Sequence, residues 1–402
     1  MPWSNDFLAS MRQEMDPLAD ETVKALFADQ GLAVMKTFHG DLVDKDGNPL
    51  PGLPPAMVRY LEETAKPPEW VDPAKLELAE QILNSHGILV FMLLAWASLP
   101  ECYVDRLGMP VLFLTQKLNV DITRRVVETC KYVVDVLSRD GFKPTGRGLD
   151  SARKVRLMHA AVRHLVMTSS DQRLAEGLPA GVAQVFADNT WKEEMGLPIN
   201  QEDLAYTLQT FGWVCVRGMR DLKADLEPAE EEAIIHCWRV AGHFMGIRHD
   251  LLPEGVDESR ELFEAIKKRV AGPSVEGKSL TAAILDFAEE HIHLPHLKAA
   301  PQVFTRFLVG DETADMLGIP QPTSHQSWDE KRWVAELSLI VHLREKRLDL
   351  LEGHRERAAG LFGRVGGLVA EVATHIGGRE PFTIPETLAP NWAVNKLDDP
   401  GS

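Results

Sequence analysis

The stretch SARKVRLMHAAVRHL, residues 151–165, reads as a helix whose two halves differ in chemistry. At about 100° per residue, Arg156, His159 and Arg163 fall within an arc of roughly 100°. Val155, Val162 and Val166 continue that face on the other side of His159, so the imidazole stands on the seam between an apolar strip and a doubly cationic one. Such a surface suits something flat and apolar that is anionic at its rim.

Upstream, residues 121–139 place Val126, Cys130, Val133, Val134 and Leu137 at helical spacing, with Arg125 and Thr129 four apart along the border of that stripe. An arginine and a hydroxyl there hold an anion or a polarised oxygen species at the edge of an apolar pocket. In the plainer alternative the arginine reaches solvent and the threonine bonds back to its own helix. Between the two helices, GFKPTGRG (141–148) has the glycine and proline content of a helix-to-helix turn. The same period recurs at about 74–99, 102–117, 201–221, 228–246, 257–271, 278–292 and 330–375. Asp121, Asp150 and Asn200 precede their helices as residues of N-cap type. Strand patterns bounded by turn residues are scarce and no fixed-period repeat is found, so the fold is expected to be mainly α and not a solenoid.

At 402 residues, 45% hydrophobic and 26% charged, the composition is that of a globular protein. The chain divides into an amino-terminal helix and extended arm over 1–73, with the turn-rich runs DKDGNPLPGLPP and AKPPEW, and a large helical domain over 74–402. Within it, a peripheral helical section over 330–402 is the alternative division. The 43 Lys and Arg stand against 60 Asp and Glu, a net charge of -17, which repels phosphate backbones and anionic lipid and argues against nucleic acid as a main partner. No basic n-region followed by a long apolar run opens the chain, and GILVFMLLAWASLP (87–100) is too short for a typical span. A cytoplasmic protein with no stable membrane span is the expectation. Cys102, Cys130, Cys215 and Cys237 lack CxxC spacing, which argues against a zinc knuckle or disulfide framework, and the absence of CxxCH removes covalent c-type haem. Nothing in the sequence sets an oligomeric state.

Two cations beside a buried histidine raise the cost of protonating it, and a neutral imidazole is what a metal binds. Haem gives both arginines a purpose, because its propionates need partners while its ring needs apolar walls. The bland alternative is a packed histidine whose arginines pair with some of the 60 acids. Other clusters carry less. His291, His293 and His296 in HIHLPH pass from a helix end into a loop at Pro295, where spacing does not preset a tetrahedral site. His236 and His243 share a helical face seven residues apart, open to a second metal site, a pocket-lining role or packing. EPAEEEA (227–233) reads as an acidic first turn, and GxGxxG, P-loop, GxSxG and HExxH patterns are absent.

Arg125 and Thr129, then RDGF at 139–142, then Arg156, His159 and Arg163 in KVRLMHAAVRH, together resemble the central region of the latex clearing protein family of haem-b rubber oxygenases, part of a wider group of oxygenase-like helical haem proteins. The likeness is strongest over about 120–245, including LPINQEDLAYTLQTFGW and WRVAGHFMGI. It implies a helical domain, globin-like in character, that encloses a non-covalently bound haem b. It implies His159 as the axial ligand of the iron, Arg125 and Thr129 on the opposite, oxygen-binding side, and Arg156 and Arg163 supporting the haem or its propionates. Some members have a lysine immediately before the threonine that serves as a sixth ligand; here that position is Glu128. The family's glutamate base has two candidate equivalents, Glu128 and Glu101. The implied reaction uses dioxygen to cleave a carbon–carbon double bond of a hydrophobic substrate, polyisoprene or an isoprenoid, giving two carbonyl products. Read from the residues alone, a haem-binding sensor or carrier and a haem-free helical module for lipids or proteins stay open beside it.

Overall fold

The computed structural model describes residues 3–30, 41–118, 122–138, 140–168, 191–224, 226–291 and 299–321. Its helices, in order, are α1 (Asn5–Met11), α2 (Pro17–Gln30), α3 (Pro55–Glu63), α4 (Pro73–Leu93), α5 (Leu99–Tyr103), α6 (Met109–Leu118), α7 (Ile122–Val136) and α8 (Arg147–Thr168), then α9 (Gln201–Phe211), α10 (Trp213–Asp221), α11 (Pro228–Phe244), α12 (Val256–Val270), α13 (Val275–His291), α14 (Ala300–Val309) and α15 (Asp311–Met316). Among the described residues there is no β-strand, and β-type pairing is confined to two isolated bridges, Val43 with Pro49 and Asp105 with Ala271. The fold is mainly α, as the periodicity predicts.

Several boundaries depart from the sequence reading for local reasons. The helix expected over 102–117 is two, separated by a turn in which Asp105 accepts the N–H groups of Leu107 and Gly108 at 2.9 and 3.0 Å. The one expected over 201–221 breaks at Gly212, whose φ of -84° and ψ of -81° leave the helical region. Asn200 does cap α9, accepting the Asp203 N–H at 2.9 Å. Asp150 is not a cap: α8 starts at Arg147, and Asp150 lies in its first turn with its carboxylate 2.8 Å from Lys154. The single amino-terminal helix expected is two, α1 and α2, and three more helices were not anticipated, α3 within the supposed arm and α14 and α15 beyond it; Pro55 and Pro301 sit in the first turns of α3 and α14, where proline costs nothing. Asp121 and the expected 330–375 helix lie outside the described residues.

Helix α4 changes direction. His86 has non-helical φ and ψ (-120° and 17°), and the limbs Pro73–Gly87 and Leu89–Tyr103 meet at 85°. The second limb passes through a π-helical segment, Leu94–Ser98, with the Leu99 N–H bonded back to the Leu94 carbonyl; Pro100, one residue on, has no N–H to give. Among the described residues no single helix is long and apolar enough to cross a membrane. The second limb is core instead: Leu93, Leu94 and Trp96 are buried against α10 and α14.

The amino-terminal section is packed on the body. Arg12, after α1, reaches Glu202 and Asp203 of α9 at 2.8 Å each, and Arg269 of α12 meets the same Glu202 at 2.7 Å. Helix α2 lies along α8, which also packs against α7 and α11. The 151–165 stretch is thus enclosed by three helices.

Candidate functional site

Helices α7 and α8 form an antiparallel hairpin, and the turn between them fixes its register. A Cβ on Gly146 would come within 2.2 Å of the Gly141 carbonyl oxygen, so the two strands of this turn approach to a distance only glycine allows. The Leu149 N–H bonds the Gly141 carbonyl at 2.8 Å, and Ser151 Oγ donates to Asp135 Oδ2 at 2.7 Å. At 1.5 Å rise per residue in both helices, the Ser151–Asp135 contact sets His159 level with about residue 127. The Arg125–Thr129 turn and His159 therefore lie at one height on neighbouring helices.

His159 is partly exposed as a residue, yet its Nδ1 is buried and has no hydrogen-bond partner among the described residues. Burial, and after it the Arg163 cation, hold its pKa down at about 3, so the imidazole is neutral across the physiological range. A buried ring nitrogen with no partner costs on the order of 1–3 kcal/mol. An incoming electrophile is the partner that a free imidazole lone pair suits.

The two flanking cations are largely engaged by α2. Arg156 makes a bidentate pair with Asp16, Nε to Oδ2 at 2.5 Å and Nη2 to Oδ1 at 2.7 Å, and its Nη1 donates to the Phe244 carbonyl at 3.4 Å. The pair is deeply buried, at 9% and 3% exposure. Gly246 closes over it with φ of +82°; a Cβ there would stand 2.4 Å from Asp16 Oδ2 and 2.6 Å from Arg156 Nε. Arg163 donates to Asp20 Oδ1 at 2.7 Å and to the Ile199 carbonyl at 3.0 Å. Ile199 has φ of 51°, a conformation that costs a β-branched residue on the order of 1–3 kcal/mol, and the Arg163 bond helps to hold it. Arg163 Nη2 is buried and without a partner among the described residues. Of the two arginines, Arg163 alone keeps a buried guanidinium nitrogen unpaired.

On α7, Glu128 is buried and Thr129 half-buried; Arg125 belongs to the same helix. Glu101 is elsewhere. Its carboxylate, fully buried, sits between Arg217 Nη2 at 2.7 Å and Lys267 Nζ at 2.8 Å, while Tyr206 donates to its carbonyl. That is a doubly paired structural anion, so of the two candidate bases Glu128 is the one at the height of His159. The sequence reading missed Asp16, just before α2, and Asp20 within it: acids four apart matching cations seven apart on another helix is a signal, but nothing local links segments 140 residues apart.

His236 and His243 do not form a metal site; among the described residues no group of three or more His, Cys, Asp or Glu is arranged to hold a metal. Both stand edge-on to Trp70, at 5.9 and 6.0 Å between ring centroids, with His249 stacked at 6.3 Å and the Arg239 guanidinium 4.3 Å above the same ring. His236 Nε2 accepts the Asp72 N–H at 2.9 Å, which ties the start of α4 to α11. Burial first, then Lys75 and Arg239, bring its pKa down to about 4, outweighing Asp72. Between about pH 6.5 and 4 the unfolded chain binds a proton that the folded one refuses, so stability falls as pH falls through that window. Urea unfolding of His236→Gln, which keeps an acceptor but does not titrate, is expected to show a shallower acid loss than the parent; identical slopes would rule this histidine out as a source. Of HIHLPH, His293 and His296 lie outside the described residues, and His291 ends α13. Cys102, Cys130, Cys215 and Cys237 are all buried, and none of the four is in a disulfide among the described residues.

Residues 113–339 match the family described as ER-bound oxygenase mpaB/B'/Rubber oxygenase, catalytic domain. The chain is 26% identical over 303 residues to the rubber oxygenase of Streptomyces sp. (strain K30), an alignment spanning 74% of this chain and 68% of that one. Its fold is that of a latex clearing protein solved in the closed state, with a TM-score of 0.70 at 22% identity over 90% of this chain and 91% of the other. The chain belongs to the mpaB/B' and rubber oxygenase family, and its class is that of a helical oxygenase.

Proposed function

We propose that this protein is a haem-b-dependent oxygenase that uses dioxygen to cleave a carbon–carbon double bond of a hydrophobic substrate, polyisoprene or an isoprenoid, placing one oxygen atom in each of two carbonyl products. The observation that carries the reading is the His159 imidazole, neutral and with a buried unpartnered Nδ1, on the apolar side of a cationic face. The residues fit the group: a neutral imidazole for the iron, the apolar Val155, Val162 and Val166 for the ring, and Arg163 Nη2 for an anion at its rim. When bound, haem b supplies the redox chemistry that activates dioxygen. His159 holds the metal. Arg156, spent on Asp16, holds α8 in position and does not reach outward. Arg125 and Thr129 supply a cation and a hydroxyl to orient dioxygen against the double bond. The Glu128 carboxylate takes up the allylic proton of the substrate and returns it before the two carbonyl products leave, so that no proton is gained or lost overall.

Purified protein is expected to show a Soret band and about one b-type haem per chain in a pyridine haemochrome assay; none after haem supplementation overturns the reading. Arg125→Ala and Thr129→Ala are each expected to keep haem and to lower turnover by about 100-fold, the scale of removing one donor from a charged transition state. Full activity in both would remove the assignment of these two residues.

A further inference from the structure

Beside the elbow of α4 lies a small apolar cavity, partly open, that the proposed chemistry does not use. Ala79 and Leu83 line it from the first limb, Val90 and Leu94 from the second, Val133 from α7 with Leu137 just after it, and Trp238 from α11. The space is about 20 Å³. That is just above the roughly 10–15 Å³ one water-sized molecule needs. Water also needs two to four polar partners. Apart from Cys215 and Trp238, every residue lining this cavity is Ala, Ile, Leu, Val, Met or Phe. The Cys215 thiol already faces the Thr210 carbonyl, at 4.0 Å. Burial pushes that thiol up to about 12, so it stays protonated and inert towards oxidants.

A pocket too apolar for water and too small for a hydrocarbon chain suits a small apolar gas. Of such gases, dioxygen is the one that an oxygenase consumes, and the cavity shares α7 with the proposed dioxygen-orienting residues. Val133 lies four residues from Thr129, roughly 6 Å along the axis. We propose that the α4 elbow cavity is a dioxygen-holding site that feeds the Arg125–Thr129 end of α7. The identity of the gas rests on the oxygenase reading; the cavity's affinity for an apolar atom does not.

Xenon tests the site directly, because it fills dry apolar cavities of this kind. Xenon NMR titration of the whole chain is expected to show one saturable site, abolished in Val133→Phe and weakened in Ala79→Val, a milder filling whose circular dichroism stays that of the parent. In the same variants the KM for dioxygen is expected to rise several-fold with kcat unchanged. Xenon bound in a protein that turns nothing over would overturn the oxygenase reading and leave the gas site standing. No saturable xenon site, or one untouched by both substitutions, overturns the cavity assignment, as does an unchanged KM for dioxygen in variants that have lost xenon.

Discussion

His159→Ala is expected to purify without haem and still be folded. The imidazole makes no hydrogen bond through Nδ1 to any described residue, so removing it deletes a ligand without breaking a network. Its loss also removes a buried unpaired nitrogen, which offsets part of the small cavity left behind, and the net change in stability stays within about 1–2 kcal/mol. The effect on cofactor content is of another order, because His159 is the imidazole that stands beside Val155, Val162 and Val166. Soret absorbance and haemochrome stoichiometry, measured beside a urea unfolding curve, separate the two quantities. Wild-type haem content in the variant would remove His159 as the ligand.

Asp16→Ala is expected to do the opposite, costing stability first. Removing the carboxylate leaves the Arg156 guanidinium buried with the Phe244 carbonyl as its remaining partner. Breaking a buried pair from one side costs about 3–5 kcal/mol. Against a total of roughly 5–15 kcal/mol for a folded domain, that is a large fraction. The double variant Asp16→Ala with Arg156→Met takes both charges away and is expected to recover most of the loss, because the penalty belongs to the stranded cation and not to a missing attraction. Chemical denaturation of the three variants measures this; a cost below about 1 kcal/mol for Asp16→Ala would mean that the pair behaves like a surface salt bridge.

The helices that build the site were legible because α7, α8 and α11 carry stripes at 3.6-residue spacing, and their positions follow those stripes to within a few residues. The neutral state of His159 was also legible, since it follows from two cations and burial on one face. What the arginines do was not. Their partners, Asp16 and Asp20 at the start of α2, come 140 and 143 residues earlier, and pairing over such a separation is decided by tertiary packing that no local pattern encodes. The same holds for the 85° elbow of α4. The stretch 74–99 reads as one helix, and only the packing of its second limb shows that it turns near His86.

The Asp16–Arg156 lock constrains the order in which the protein can be made. Asp16 leaves the ribosome 140 residues before Arg156. At synthesis rates of about 5–20 residues per second that is a wait of roughly 7–28 s. Throughout it, α2 carries carboxylates shaped for burial but still needing water, so it cannot settle into its final place. Helix α2, translated before α8, therefore takes its final place only after α8 has been made, and the wall of the site closes then.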